Sequence, residues 1–150
     1  MKILPTTVND FPDWLGMRRE LYTGLDEGFH RQEVEAILAS DVMAAFVGVS
    51  DVGDGTIGML ELSLRNVVDG CVGGPVGYIE GLYIKPQFRG RGFGRQMVAF
   101  AESWFISSGC HEMATDAELD NTAAQAFHRA VGFEETFRIV EYRKRLLDEA

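Results

Sequence analysis

Between Arg89 and Arg95 the chain reads Arg-Gly-Arg-Gly-Phe-Gly-Arg. The preceding residues, "YIEGLYIK", have the composition of a β-strand, and the following "GRQMVAFAESWFISSG" has that of a helix. A turn that feeds a helix N-terminus offers unpaired amides and the positive end of the helix dipole, which together favour an anion. Gly90, Gly92 and Gly94 let the backbone approach a bulky ligand where a Cβ would collide, and Arg89, Arg91 and Arg95 add charge suited to phosphate. A pyrophosphate fits this combination best. A P-loop would end in Gly-Lys-Ser/Thr, and "GFGRQ" has neither the lysine nor the hydroxyl. The dinucleotide signature GxGxxG has a different spacing from "GRGFG". An ordinary glycine-rich turn with solvated arginines is the plain alternative.

Composition narrows the field. The chain has 150 residues, 46% hydrophobic and 25% charged, with a net charge of −9. These are the proportions of one globular domain, expected to span residues 1–150. So acidic a chain is ill suited to nucleic acid or an anionic membrane, because neutralising phosphate needs a basic face. It could instead attract polycations by long-range steering, the plain alternative being a solvated acidic surface that keeps the protein soluble. Cys71 and Cys110 form no CxxC, and His30, His111 and His128 are scattered, so no metal is expected. No apolar run suggests a signal peptide or a membrane helix, which points to the cytoplasm.

The elements that must position the turn follow from periodicity. "KILPTTV" reads as a short strand. Asn9 or Asp10 caps a helix entered through Pro12, and "GFHRQEVEAILAS" is a second helix with Phe29, Val34, Ile37 and Leu38 inward. "MAAFVGVS" and "TIGMLELSLRN" form a hairpin across "DVGDG". The loop "VVDGCVGGP" leads to the strand "VGYIEGLYIK", then the turn and its helix, with Met97, Val98, Ala101, Trp104 and Phe105 inward and Gly109 as cap. "CHEMATDAE" is a strand, "NTAAQAFHRAVG" a helix and "EETFRIVEYRKRL" a closing strand or bent pair. The order β-α-α-β-β-β-α-β-α-β predicts an α/β (α+β) fold. Its mixed, mostly antiparallel sheet carries helices on both faces, and a right-handed crossover makes the 110–117 strand parallel to the 76–85 strand.

Arg89–Gly94 fits the R/Q-x-x-G-x-G/A pattern of the GNAT acyltransferase superfamily and stands where that family has it. "EGLYIKPQFRG" and "NTAAQAFHRAVGFEE" resemble the family's preceding strand and its Asn-x-x-Ala…Gly-Phe helix. The resemblance covers essentially the whole chain. It implies acetyl-coenzyme A as co-substrate, its pyrophosphate over the amides from Gly90 to Arg95, including Phe93. It also implies a pantetheine arm along Leu82, Tyr83 and Ile84, with Asn121 touching the coenzyme from across the cleft. Gly81 is a plausible place for the bulge that opens the strand.

Acetyl transfer to an amine needs a group to take the ammonium proton, a stabilised oxyanion and a protonated leaving thiol. Glu80 is the first candidate base, in an apolar strand beside the implied thioester; a solvated strand carboxylate is its plain alternative. Asp116, ending "EMATD", is the second acid and would help hold an ammonium, the alternative being a turn or helix-capping aspartate. The Leu82 amide would meet the oxyanion. His128 or water would protonate the thiolate.

Within the superfamily the chain is similar to bacterial aminoglycoside 6′-N-acetyltransferases, in "DWLGMRRELY", "GCVGGPVGYIEGLYI", "CHEMATDAELDNT" and "HRAVGFEETFRIVEYRKR". This resemblance implies Glu80 and Asp116 as substrate-contacting acids and Tyr22 as an aromatic wall. Val67 and Phe137 depart from it, where relatives carry a tyrosine and an acid. The alternatives are acetylation of another small amine, a polyamine or amino sugar, and a non-catalytic module that senses acetyl-coenzyme A. A homodimer is expected to cover or complete the sheet edge.

Overall fold

β-Branched and aliphatic runs give the sheet its three long strands: β2 (Met43–Val49), β3 (Thr56–Arg65) and β4 (Val76–Ile84). A computed structural model describes residues 1–53 and 55–148. With β1 (Lys2–Pro5) and the short β5 (Met113–Ala114), these strands form a five-stranded sheet in the order β1-β2-β3-β4-β5. All pairs are antiparallel except β4–β5, which is parallel as the crossover predicts. In the hairpin turn Gly53 and Gly55 take φ of 83° each, the positive values the turn needs; its Asp54 lies outside the described residues.

Alternation along β2 decides which helix covers which face. Ala45 and Val47 pack in one cluster with Trp14 and Met17 of α1 (Phe11–Leu21) and with Val34 and Ile37 of α2 (Glu27–Leu38). Phe46, between them, turns to the other face and meets Phe100 and Trp104 of α3 (Phe93–Ser107) edge-on, at centroid distances of 4.7 and 6.2 Å. Pro12 stands in the first turn of α1, as expected. The unforeseen part is a single 3-10 turn ahead of it, Val8–Asp10, fastened by a reciprocal Thr7–Asp10 capping box. In α2 the Asp26 side chain caps the helix by accepting from the Phe29 amide. Its buried residues are His30, Val34 and Ile37, whereas Phe29 and Leu38, expected inward, are exposed.

Two further expectations are corrected. The "CHEMATDAE" strand shrinks to Met113–Ala114, because pairing with β4 ends after Tyr78↔Ala114 and only the Thr115 hydroxyl continues it, donating to the Ile79 carbonyl at 3.0 Å. "EETFRIVEYRKRL" forms no strand among the described residues. A strand needs a partner for its amides, and this run, exposed throughout, has none there.

The chain divides into two compact units, Met1–Asp116 and Ala117–Ala150. The second contains α4 (Thr122–Ala130), whose N-cap Asn121 accepts from the Ala124 amide at 3.1 Å. In the same unit the His128 ring packs edge-on against Phe133 at 5.6 Å.

Candidate active site

The site is built around a fault in the β3–β4 ladder. Glu61 pairs with Gly81 but Leu62 pairs with Ile79, so Glu80 is the extra residue of a β-bulge. Strict alternation would turn residues 80 and 81 to opposite faces; a bulge turns both toward the same one. The Glu80 carboxylate therefore joins Ser63 and Arg65 of β3 on the face covered by α1 and α2, where Met59 and Glu61 also point. A Cβ on Gly81 would collide with the Tyr22 hydroxyl, so the bulge needs glycine there.

Beneath the bulge lies a buried ionic cluster. Arg18 Nη1 donates to both Glu61 oxygens at 2.6 Å each, and Trp14 Nε1 donates to Oε2 at 2.7 Å. Arg18 Nε donates to His30 Nδ1 at 3.3 Å. Arg18 and Glu61 are 3% and 2% exposed, so each charge depends on the other. The Tyr22 hydroxyl reaches Glu61 Oε1 and the Glu80 carbonyl, both at 3.1 Å. It thereby satisfies a backbone oxygen that the bulge has taken out of register. Burial, with the Glu61 carboxylate nearby, pushes the Tyr22 hydroxyl well above the usual tyrosine range.

The pocket above has a volume of about 300 Å³ and is lined by α1, α2 and sheet residues that include Tyr22, Phe29, Glu33, Glu61 and Glu80. Two of the expected contact residues, Tyr22 and Glu80, thus share one cavity. Asp116 is exposed and accepts from the Tyr78 hydroxyl at 2.5 Å. Partial burial and that bond push the Tyr78 hydroxyl up. Arg65 connects the two acids. Its guanidinium holds Glu80 at 2.6 Å and stacks 3.5 Å over the Tyr78 ring.

On its other side β4 is open. Leu82, Tyr83 and Ile84 pair only with β3 among the described residues, so beyond Thr115 the other edge of β4 has no strand neighbour there. At the end of the strand the turn takes the shape its glycines suggest. Gly90 and Gly92 have φ of 77° and 83°, and a Cβ on either would meet open space. Gly92 is the N-cap residue of α3 and no side chain caps the helix there, which leaves the Phe93 and Gly94 amides for a ligand. Arg89 is half committed, its Nε donating to the Ile84 carbonyl at 2.8 Å. Arg91 lies over the Phe88 ring at 5.8 Å and is exposed. An uncapped helix start, free strand amides and surface arginines fit a nucleotide diphosphate joined to an amide-bearing arm. Among the described residues no helix is long and apolar enough to cross a membrane, and no group of His, Cys, Asp or Glu could hold a metal.

Sequence reasoning did not identify Ser63, Arg65, Tyr78 or the Trp14–Arg18–Glu61–His30 cluster. Period-2 alternation places Glu61, Ser63 and Arg65 on one face of β3, and that signal was available. Alternation alone does not make Glu80 join them; the bulge expected at Gly81 forms there and decides it.

Residues 12–133 match the acetyltransferase (GNAT) family. The chain is 40% identical to aminoglycoside N(6′)-acetyltransferase type 1 of Salmonella typhimurium over 88% of its own length and 90% of the relative's. It is 36% identical to the enzyme of that name from Acinetobacter haemolyticus, over 97% and 99% of the two chains. The structure of AAC(6′)-Iy in complex with a bisubstrate analogue, CoA-S-monomethyl-acetylneamine, superposes with a TM-score of 0.88 at 38% identity, covering 96% and 97% of the two chains. The apo structure of AAC(6′)-IG from A. haemolyticus gives 0.89 at 36%, covering 97% and 99%. With the sheet opened at β4, the uncapped glycine turn and these relatives in agreement, the chain belongs to the acetyltransferase (GNAT) family.

Proposed function

We propose that the protein transfers the acetyl group of acetyl-coenzyme A to the 6′-amine of an aminoglycoside, by direct attack in a ternary complex. The observation that carries this reading is the bulge, which aims Glu80 into the cavity lined by Tyr22 while β4 stays open on its far edge. The relatives' names supply the substrate class. When bound, the coenzyme supplies the acetyl group and a thiolate leaving group. Backbone groups of Leu82, Tyr83 and Ile84 hold its arm, and the Gly90–Arg95 turn, with Arg89, Arg91 and Phe93, holds its phosphates. Glu80 takes the ammonium proton, directly or through a water, and Asp116 helps hold the charged sugar. The fixed Leu82 amide meets the developing oxyanion without reorganising. Asn121 contacts the coenzyme, and residues 1–150 act as one catalytic domain.

The functional form is a cytoplasmic homodimer. Phe137, Ile139, Val140, Tyr142, Leu146 and Leu147 are all exposed in a segment with no strand. A second chain would give those apolar side chains and amides a partner.

The test is thiol release with aminoglycosides, polyamines and amino sugars side by side. Aminoglycosides carrying a 6′-amine should turn over, and Glu80→Gln should lower kcat/KM by about 10²- to 10⁴-fold. Turnover confined to other amines would replace the substrate, and no amine-dependent thiol release at all would leave a coenzyme-sensing module.

A further inference from the structure

The two oxygens of Glu80 are not equivalent. Oε1 accepts from Ser63 Oγ at 2.9 Å, Arg65 Nη2 at 2.6 Å and Arg65 Nε at 3.1 Å. Oε2 accepts only from Arg65 Nη2, at 3.0 Å, among the described residues. A carboxylate oxygen has about two lone-pair sites, so Oε1 is saturated and Oε2 keeps one free. The donors also approach from one side. Glu80 lines the cavity but neither Ser63 nor Arg65 does. The guanidinium lies over the Tyr78 ring, its Cζ 3.5 Å from the centroid, and the Tyr78 hydroxyl in turn donates to Asp116.

We propose that Ser63 and Arg65 are positioning residues that lock the Glu80 carboxylate and assign Oε2 as the atom that receives the acceptor's proton. The inference rests on the reading of Glu80 as the base. The ammonium nitrogen gives one proton to Oε2, and its lone pair forms the new C–N bond. The C–S bond breaks with its electron pair on sulfur, which is protonated from His128 or water, while the amide nitrogen gives up its second proton to solvent. Glu80 then returns its proton to water. With three donor contacts on one oxygen, the carboxylate is held in one orientation, and one lone pair of the other oxygen stays available to the incoming amine. Arg65 approaches from outside the cavity, so it leaves the ammonium position open.

Two readouts test this. In steady-state kinetics with a 6′-amino aminoglycoside, Ser63→Ala and Arg65→Met should each lower kcat about tenfold or more, the loss expected for a hydrogen bond to a charged group. The acceptor KM should hold within about twofold, and Arg65→Lys, which keeps the charge but not the fork, should recover only part of the loss. Independently of turnover, a crystal structure of the ligand-free Ser63→Ala/Arg65→Met variant should show Glu80 in more than one rotamer, against a single one in the wild type. The inference alone falls if Glu80→Gln is inactive while the Ser63 and Arg65 variants match the wild type. It falls if Arg65→Met lowers the acceptor KM, since Arg65 would then be a cation competing with substrate. One unchanged Glu80 rotamer in the double variant overturns it whatever the activity. Full turnover by Glu80→Gln removes both this inference and the base assignment.

Discussion

A single hydroxyl governs more of this site than its size suggests. Tyr22 has one proton to give and two acceptors in reach, the Glu61 carboxylate and the Glu80 carbonyl. Tyr22→Phe keeps the ring and should cost about 1 kcal/mol of stability, more if the bulge carbonyl is left unsatisfied, as urea unfolding would show. The same tyrosine makes a pH prediction. Tyr22 and Tyr78 both hold their protons above the ordinary value of 10.0, so the folded state binds protons that the unfolded chain has lost. Their contribution is fully present below pH 10.0 and declines as pH rises above it. Unfolding free energy should therefore fall between about pH 10 and 12, and the fall should be shallower in Tyr22→Phe. At this scale the sequence exposed Glu80 because a carboxylate in "GYIEGLYI" is anomalous. It did not expose the oxygens' partners, since these depend on which way one unpaired residue turns.

Among elements, the buried Arg18–Glu61 pair is the bolt between α1 and β3. Removing one partner strands the other, so Arg18→Met should destabilise by about 3–5 kcal/mol. Arg18→Met combined with Glu61→Leu should cost clearly less than the sum of the single changes, as a double-mutant cycle by chemical denaturation would measure. Most elements were legible because their signals are local. Pro12 marks the start of α1, "DVGDG" the hairpin, and the glycine–arginine turn the start of α3. The cap expected from Asn9 or Asp10 does not form on α1, the Asp10 carboxylate turning back to the Thr7 amide. The misreadings share a physical cause. "CHEMATDAE" and "EETFRIVEYRKRL" have strand composition, but composition does not supply a neighbour. β5 pairs with β4 only as far as Tyr78, just short of the bulge at Glu80, and the closing run has no ladder to join among the described residues. His30 was passed over because no periodicity distinguishes a buried histidine paired with an arginine from an exposed one.

For the molecule as a whole, the exposed apolar run beyond Phe133 sets the expectation for assembly. Light scattering at micromolar concentration should give twice the chain mass, and replacing Ile139 and Val140 with lysine should shift the population toward monomer. A wild-type monomer would refute the proposed homodimer. One feature of the sheet reaches further. Parallel pairing ends after two rungs, so the edge of β4 is left without the neighbour that its backbone would otherwise have. An arm lying in that gap would take the place of a missing strand, and ligand occupancy would become part of the architecture. Occupancy at a hundred times the dissociation constant would add about 2.7 kcal/mol to folding. The fold would then be most rigid when the acetyl donor is abundant, and would loosen first along β4 when it runs short.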